Sequence, residues 1–533
     1  MPNNLATRLQ ENAGRFPDRP VFLYPERNRA WKTITYRQLH ERSQLYARGL
    51  TAYALCPGTR AVLMLPPSLD FFALVFALLQ TGIVPVIVDP AIGLRNVTRC
   101  LTEAEPEVYF GSTMTHNLRR LFGWGKASLR LNLSLADVAR AAQTAPEFQP
   151  PQLTPESEAA IIYTSGSTGL AKGAIYTHAN FEAQIEMLVE SLHLNGDEID
   201  LPAFPLFALI DCLLGVTAVI PDPRFPAPAR INPQRMLAAI RTQSVNSMFA
   251  SPVVLDKLAR YGAKNQVKLP GLKQVMTAGA PAPAAVLAMF RQMLPEEAVL
   301  VGVYGSTETL PVSIVDSREI LGETRYLSAR GAGVCIGRPV PGAQVQIIAI
   351  SDQALSEADL RPLTSGQIGE ITVKGPAVTA GYLGREQLNQ LAKIRIQSGE
   401  IIHRMGDVGY FDVQGRLWYC GRKSHRVVTP AGTLFSESIE GIFNAHPQVY
   451  RSALVGVEQA GVMQPVLWAE LDPSARGADQ EQIRAELLEL AGANAMTNSI
   501  KTILFHPAFP TDIRHNSKII REKLAVLAKK RLR

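Results

Sequence analysis

Cysteine is scarce and scattered: five residues in 533 (Cys56, Cys100, Cys212, Cys335, Cys420). With no CxxC and no Cys/His pairing at zinc spacing, a disulfide framework and a structural zinc site are excluded. The first twenty residues, MPNNLATRLQENAGRFPDRP, lack the charged-then-apolar profile of a secretory leader, so a cytoplasmic protein with reduced thiols is expected. Charged residues make up only 19%, and the net charge of +7 is mild for this length. No basic motif interleaved with aromatics accompanies that excess, so nucleic acid is not an expected partner. The 39 glycines and 37 prolines fall well short of the roughly 25–30% that marks low-complexity disorder. No uninterrupted membrane-length apolar run exists either. The nearest, 71–88 and 201–220, are broken by Gln80, Gly82 and Pro85 and by Asp211 and two prolines, and read as buried helix and strand.

What is present is a chain too long for one core, 47% hydrophobic, with short β-branched runs alternating with helical patterns. RAVLML, PVIVDP, VYFGS, AAIIYT, SVNSMFAS, LKQVMTAG and AVLVGVYG predict strands of a mostly parallel sheet covered by helices. From about residue 335 the runs AQVQIIAI, GEITVKG and GRLWYCG alternate instead, which predicts an antiparallel β subdomain over about 335–421. After Gly421 a polar, basic stretch leads into a compact α+β segment. The expected fold class is α/β, with a large N-terminal domain (1–421) and a small α+β C-terminal domain (422–533).

Four segments carry chemistry. YTSGSTGLAKG (163–173) follows an apolar strand; its glycines bring backbone N–H groups close to a polyanion, its hydroxyls donate, and Lys172 adds charge. The spacing around Lys172 differs from a Walker A loop. YGSTE (304–308) also follows an apolar strand and offers an aromatic face, hydroxyls and a carboxylate able to hold Mg²⁺, with TAGAP (277–281) as a neighbouring wall. HRMGDVG (403–409) places Asp407 to accept from a ribose diol, and FPTDIRHNSKIIREKL (509–524) sets Lys518 in a polar turn before a helical pattern. GAGVCIG (331–337) misses the dinucleotide fingerprint at Ile336 and reads as a backbone turn.

In this order the four segments resemble the adenylate-forming superfamily of acyl-CoA synthetases, luciferases and peptide-synthetase adenylation domains, over essentially the whole chain. The resemblance implies a mobile C-terminal domain hinged near 422–424 and a site in the cleft between the domains. It implies that Thr164, Ser165, Gly166, Ser167, Thr168, Gly169 and Lys172 grip the phosphates of ATP. Gly279, Ala280, Tyr304 and Gly305 would enclose adenine, Thr307 would contact the α-phosphate, and Glu308 would hold Mg²⁺. Asp407 and Arg422 would hold the ribose, and Lys518 would bridge the α-phosphate and the reacting carboxylate. Phe204, Phe207, Ala208, Ala278 and Gly279 would line an acyl site for an aliphatic acid. Two positions depart from the superfamily: Ala208 where acyl-CoA synthetases often carry His, and Ser424 at the hinge, where Asp or Lys is usual.

Longer runs, FPLFALID (204–211), HRMGDVGYFDVQGRLWYCGRKSHRV (403–427) and FPTDIRHNSKIIREKLAV (509–526), resemble the β-lactone synthetases of bacterial long-chain olefin biosynthesis. The implied reaction is ATP-dependent formation of acyl-AMP from a long-chain β-hydroxy acid, then ring closure with loss of AMP. The alternative is a ligase in which CoA attacks the adenylate. A catalytically silent nucleotide-binding protein ranks last, because Lys172, Glu308, Asp407 and Lys518 are all present. The basic C-terminus (Lys523, Lys529, Lys530, Arg531, Arg533) reads first as a helix end complementing its own dipole, and second as a contact for a membrane surface or pathway enzyme.

Overall fold

The computed structural model describes residues 4–26, 30–89, 92–165, 171–222, 228–475, 477–511 and 518–532. Two large sheets dominate it. A six-stranded sheet runs in the order Leu131–Leu133, Val108–Gly111, Arg60–Met64, Val84–Ile87, Glu158–Ser165, Ala171–Thr177, parallel except for its last pair. Both faces are covered, which explains why strands such as Val108–Gly111 are buried at every position instead of alternating.

The helix Leu69–Thr81 covers one face. Ser68 caps it by accepting from the Phe71 N–H at 3.2 Å, Gly82 ends it at φ +71°, and every residue from Phe71 to Thr81 is buried. Burial of each of its Phe and Leu side chains is worth roughly 1.5–3 kcal/mol, so an all-round apolar helix is stable here only as core. Val84–Ile87 follows as a strand, as expected from the sequence. No helix among the described residues is long and apolar enough to cross a membrane.

The second sheet is longer. Its parallel part contains Pro20–Pro25, Thr217–Val219, Ile199–Pro202, Ser247–Ala250, Gln274–Ala278 and Val299–Ser306. Thr309–Asp316 then turns back antiparallel and pairs with Val334–Pro339, which pairs in turn with Leu417–Arg422. The antiparallel strands expected over 335–421 are therefore continuous with the parallel sheet, through Val334–Pro339. Gly337 marks the junction, at φ +82° and at a register shift opposite Leu417; a Cβ there would lie 1.8 Å from the Ile314 carbonyl oxygen. The GAGVCIG stretch is thus a turn only at its start, and from Val334 a bulged strand.

Beyond Arg422 a short 3₁₀ turn (Lys423–His425) leads to a separate three-stranded sheet, Val449–Gln459, Val462–Leu471 and Thr502–Phe505. Two cores flank it. One joins Ile439, Phe443 and Leu487; the other joins Trp468, Phe509, Leu524 and Ala528 of the terminal helix Arg521–Arg531.

Candidate active site

The chemistry-bearing segments converge at the carboxyl ends of the parallel strands, where open α/β sheets collect ligands. The two ends of YTSGSTGLAKG lie in paired antiparallel strands: Thr164 pairs with Lys172 and Ser165 with Ala171 across Glu158–Ser165 and Ala171–Thr177. Gly166, Ser167, Thr168 and Gly169 lie outside the described residues. Gly173 is needed for close packing, since a Cβ there would sit 2.8 Å from the Tyr163 ring. The Lys172 ammonium lies 5.0 Å from the Tyr382 ring centroid; burial lowers its pKa, and Glu308 partly restores it.

Thr307 and Glu308 form the turn between Val299–Ser306 and Thr309–Asp316. The Thr307 carbonyl accepts from the Tyr176 hydroxyl, and the Glu308 carbonyl from the Thr379 N–H at 2.9 Å. The Glu308 carboxylate accepts from the Tyr382 hydroxyl at 2.5 Å. Burial by itself would raise Glu308, but His403, the Tyr382 hydroxyl and Lys393 together outweigh it and hold the carboxyl down at about 2. Lys393 is itself buried, donating to the Thr379 carbonyl at 2.7 Å, and burial lowers it to about 7. Burial and the Lys393 charge push the His403 imidazole down, against the opposing pull of Glu308.

Tyr304 donates its hydroxyl to Asp407 Oδ2 at 2.6 Å, and Arg422 Nη1 stands 3.0 Å from Oδ1. That second contact lacks hydrogen-bond geometry, and Oδ1 is a buried acceptor without a hydrogen-bond partner among the described residues. An orphaned acceptor of this kind fits a hydroxyl donor on a ligand. Burial raises the Asp407 carboxyl, against the opposing pull of Arg422, Tyr304 and Lys518.

Two cavities meet here. One, of about 780 Å³, is bounded by Gly279, Ala280, Tyr304, Asp407, Tyr419 and Arg422. The other, of about 1110 Å³, runs from Thr307, Glu308 and Lys172 past Phe204, Phe207, Ala278 and Gly279 to Phe71, Val75, Phe76 and Leu79 of the buried helix. Gly279, Gly305, Arg422 and Lys518 line both. Lys518 comes from a segment more than 200 residues away from Gly305 and is exposed at the edge of the cleft.

One expected acyl residue is displaced. Ala208 is fully buried, and its carbonyl accepts from the Cys212 thiol one turn on; it does not line either cavity. At about 100° per residue, the face of Pro205–Leu214 that presents Phe207 and Ile210 to the cavity turns Ala208 and Cys212 into the core. The sequence reading also missed Tyr382, Tyr176, Lys393 and Tyr419. His403 and Tyr419 lay within the run 403–427 singled out above, His403 beside the chosen Asp407, whereas Tyr176, Tyr382 and Lys393 lay in none.

Known proteins resemble the chain over nearly its whole length. The family model described as "AMP-binding enzyme" matches residues 9–383. The olefin beta-lactone synthetase of Stenotrophomonas maltophilia (strain K279a) is 43% identical over 99% of this chain and 98% of its own. The protein of the same name from Xanthomonas campestris pv. campestris is 42% identical over 93% and 91%. The ATP-bound crystal structure of MatB from Rhodopseudomonas palustris superposes over 100% of both chains with a TM-score of 0.81 at 21% identity, a likeness of fold. The chain belongs to the AMP-binding family of adenylate-forming enzymes.

Proposed function

We propose that this enzyme activates a long-chain β-hydroxy carboxylic acid as its acyl adenylate and then closes the adenylate to a β-lactone with release of AMP. One observation carries the reading: near-full-length identity of 43% to a protein named olefin beta-lactone synthetase. The site supports it, since a large apolar cavity opens onto the polar one at Gly279, Gly305 and Lys518, as an aliphatic acid joined to a nucleotide requires.

In the first step a carboxylate oxygen bonds to the α-phosphorus, the bond to the bridging oxygen breaks, and pyrophosphate leaves. Two anions must meet, so positive charge is the main physical requirement. Lys172 would face the β- and γ-phosphates, and Lys518 the α-phosphate and incoming carboxylate. Tyr304 would present its ring to adenine, with Gly279, Ala280 and Gly305 around it, while Asp407 and Arg422 would hold the ribose. Thr307 would donate to the α-phosphate. Glu308, ionised at neutral pH and facing the cavity, suits a hard divalent cation that takes oxygen ligands, and would hold Mg²⁺ to neutralise the phosphates.

In the second step the β-hydroxyl oxygen bonds to the carbonyl carbon, its proton passes to water, and the C–O bond to AMP breaks. Holding both ends of one molecule in one cavity supplies the proximity this closure needs. We place the functional division at 421/422, with Lys518 carried on a mobile second body.

The test is product analysis with ATP, Mg²⁺ and a long-chain β-hydroxy acid, in the absence of CoA. Lactone, AMP and pyrophosphate are expected. AMP and product forming only when CoA is added would overturn the lactone step and favour a thioester-forming ligase.

A further inference from the structure

The helix Thr113–Phe122 is amphipathic in an unusual sense. Met114, Leu118, Leu121 and Phe122 fall at i, i+4, i+7 and i+8, the spacing of a stripe that ordinarily faces a core. Leu118 alone of the four packs partly against the core of the six-stranded sheet; no residue of the helix is fully buried, and Met114 and Leu121 are 67% and 75% exposed. The helix is well formed at both ends, with Ser112 accepting from the Thr115 N–H at 3.3 Å and Gly123 in the left-handed region. Its end is anchored by Trp124, whose indole donates to Thr98 Oγ1 at 2.8 Å and whose ring lies 6.0 Å from that of Phe122. Thr98 shares its side of the helix Leu94–Ala104 with Leu94 and Arg95, one turn before it; both are exposed. An apolar patch is thus fixed on the surface across two helices.

Its electrostatics point one way. From residue 108 to 136 the chain contains no Asp or Glu, and on the neighbouring helix Glu103, one turn beyond Arg99, is already paired with Arg385. Arg95, Arg99, Arg120 and Lys126 are exposed, and none of the four is in an ion pair among the described residues. The patch is also continuous with the apolar cavity, since Met114, with Ser112 and Thr115, lines its wall while remaining open to solvent. A water-soluble partner would not require an apolar stripe beside unpaired cations at the mouth of an apolar cavity. A negatively charged bilayer surface matches all three features.

We propose that the helix Thr113–Phe122, flanked by Arg95, Arg99, Arg120 and Lys126, is an interfacial docking surface for anionic lipid bilayers, through which apolar substrate passes at Met114 into the cavity. The terminal helix Arg521–Arg531 is not this surface: Leu524 and Ala528 are buried against the C-terminal sheet. The use made of the surface rests on the reading of the cavity as an acyl site, so binding is measured without ATP or acid, and a failed lactone assay leaves it standing.

The full chain is sedimented with unilamellar vesicles of phosphatidylglycerol and phosphatidylcholine in equal parts, and with phosphatidylcholine alone. Partitioning at least tenfold stronger onto the anionic vesicles is expected, falling at least tenfold in 0.5 M salt. The pair Leu121→Ser/Phe122→Ser and the pair Arg120→Glu/Lys126→Glu are each expected to lose tenfold or more of that partitioning. All four positions are exposed, and unchanged thermal melts confirm that the variants fold. Absence of binding by the parent chain overturns the proposal, as does undiminished binding by both variant pairs. Loss of binding only on Lys529→Glu/Lys530→Glu, or a self-association abolished by Leu121→Ser/Phe122→Ser without vesicle binding, likewise overturns it.

Discussion

At the scale of single residues, the site is governed by burial set against a few charges. Glu308 is held near 2 although burial opposes its charge, and Lys172 is weakened as a cation by the same burial. Lys518, by contrast, stands exposed at the edge of both cavities, and its charge acts on the buried Asp407 carboxyl across the cleft. Under its proposed role, Lys518→Ala lowers acyl-AMP formation on the order of 10²–10³-fold, the usual loss for one group aimed at developing charge. ATP–pyrophosphate exchange reads that loss, and near-parent exchange would remove Lys518 from the chemistry. His178 offers a second test, of stability rather than catalysis. Its Nδ1 accepts the Leu5 N–H at 3.1 Å, and burial lowers its pKa to about 4. Between the ordinary value of about 6.5 and 4, the unfolded chain binds the proton that the folded chain refuses, so stability falls as pH falls through that window. The loss reaches about 3 kcal/mol at most. Melts at pH 7 and pH 4.5 should therefore differ less for His178→Gln than for the parent, and equal differences would discard this account.

At the scale of elements, apolar runs were legible wherever one residue type dominated for a physical reason. Leu69–Thr81 and the strands around it are buried on all sides, which no solvent-facing helix or strand tolerates, so composition alone identified them. The junction of the two halves of the long sheet was not legible. Val334–Pro339 reads as a Gly-rich turn because its bulge at Gly337 breaks the strand pattern, and only the approach of Ile314 shows why glycine is there. Gly337→Ala combines a left-handed φ with a clash against backbone, and is expected to destabilise the protein by roughly 3 kcal/mol or more. A denaturant midpoint within error of the parent would show that the junction can shift. Ala208 failed for a related reason. Phe204 and Phe207 of its segment border the cavity and Ala208 does not, because which face of a helix meets a cavity depends on how the helix is rolled against its neighbours.

At the scale of the whole molecule, Arg422, Lys518 and the strand ends at Gly279 and Gly305 border the same space, so under the proposed function one ligand would touch both the large sheet and the C-terminal segment. A non-hydrolysable acyl-adenylate analogue at 100 times its Kd should add about 2.7 kcal/mol of stability by mass action. Lys518→Ala should weaken binding of the analogue and so reduce that gain at the same concentration. An unfolding transition unmoved by the analogue would contradict the shared site. The sequence by itself determined the fold class, the four chemical segments and the family resemblance, because phosphate binding restricts residue types over short, contiguous stretches. Tertiary structure alone decided that Tyr304 bonds Asp407 across 103 residues, that His403, Tyr382 and Lys393 favour the charged form of Glu308, and that Met114 and Leu121 stay exposed. Those facts depend on distances between segments remote in the chain and on which faces the packed sheets leave uncovered, and neither is written in local pattern.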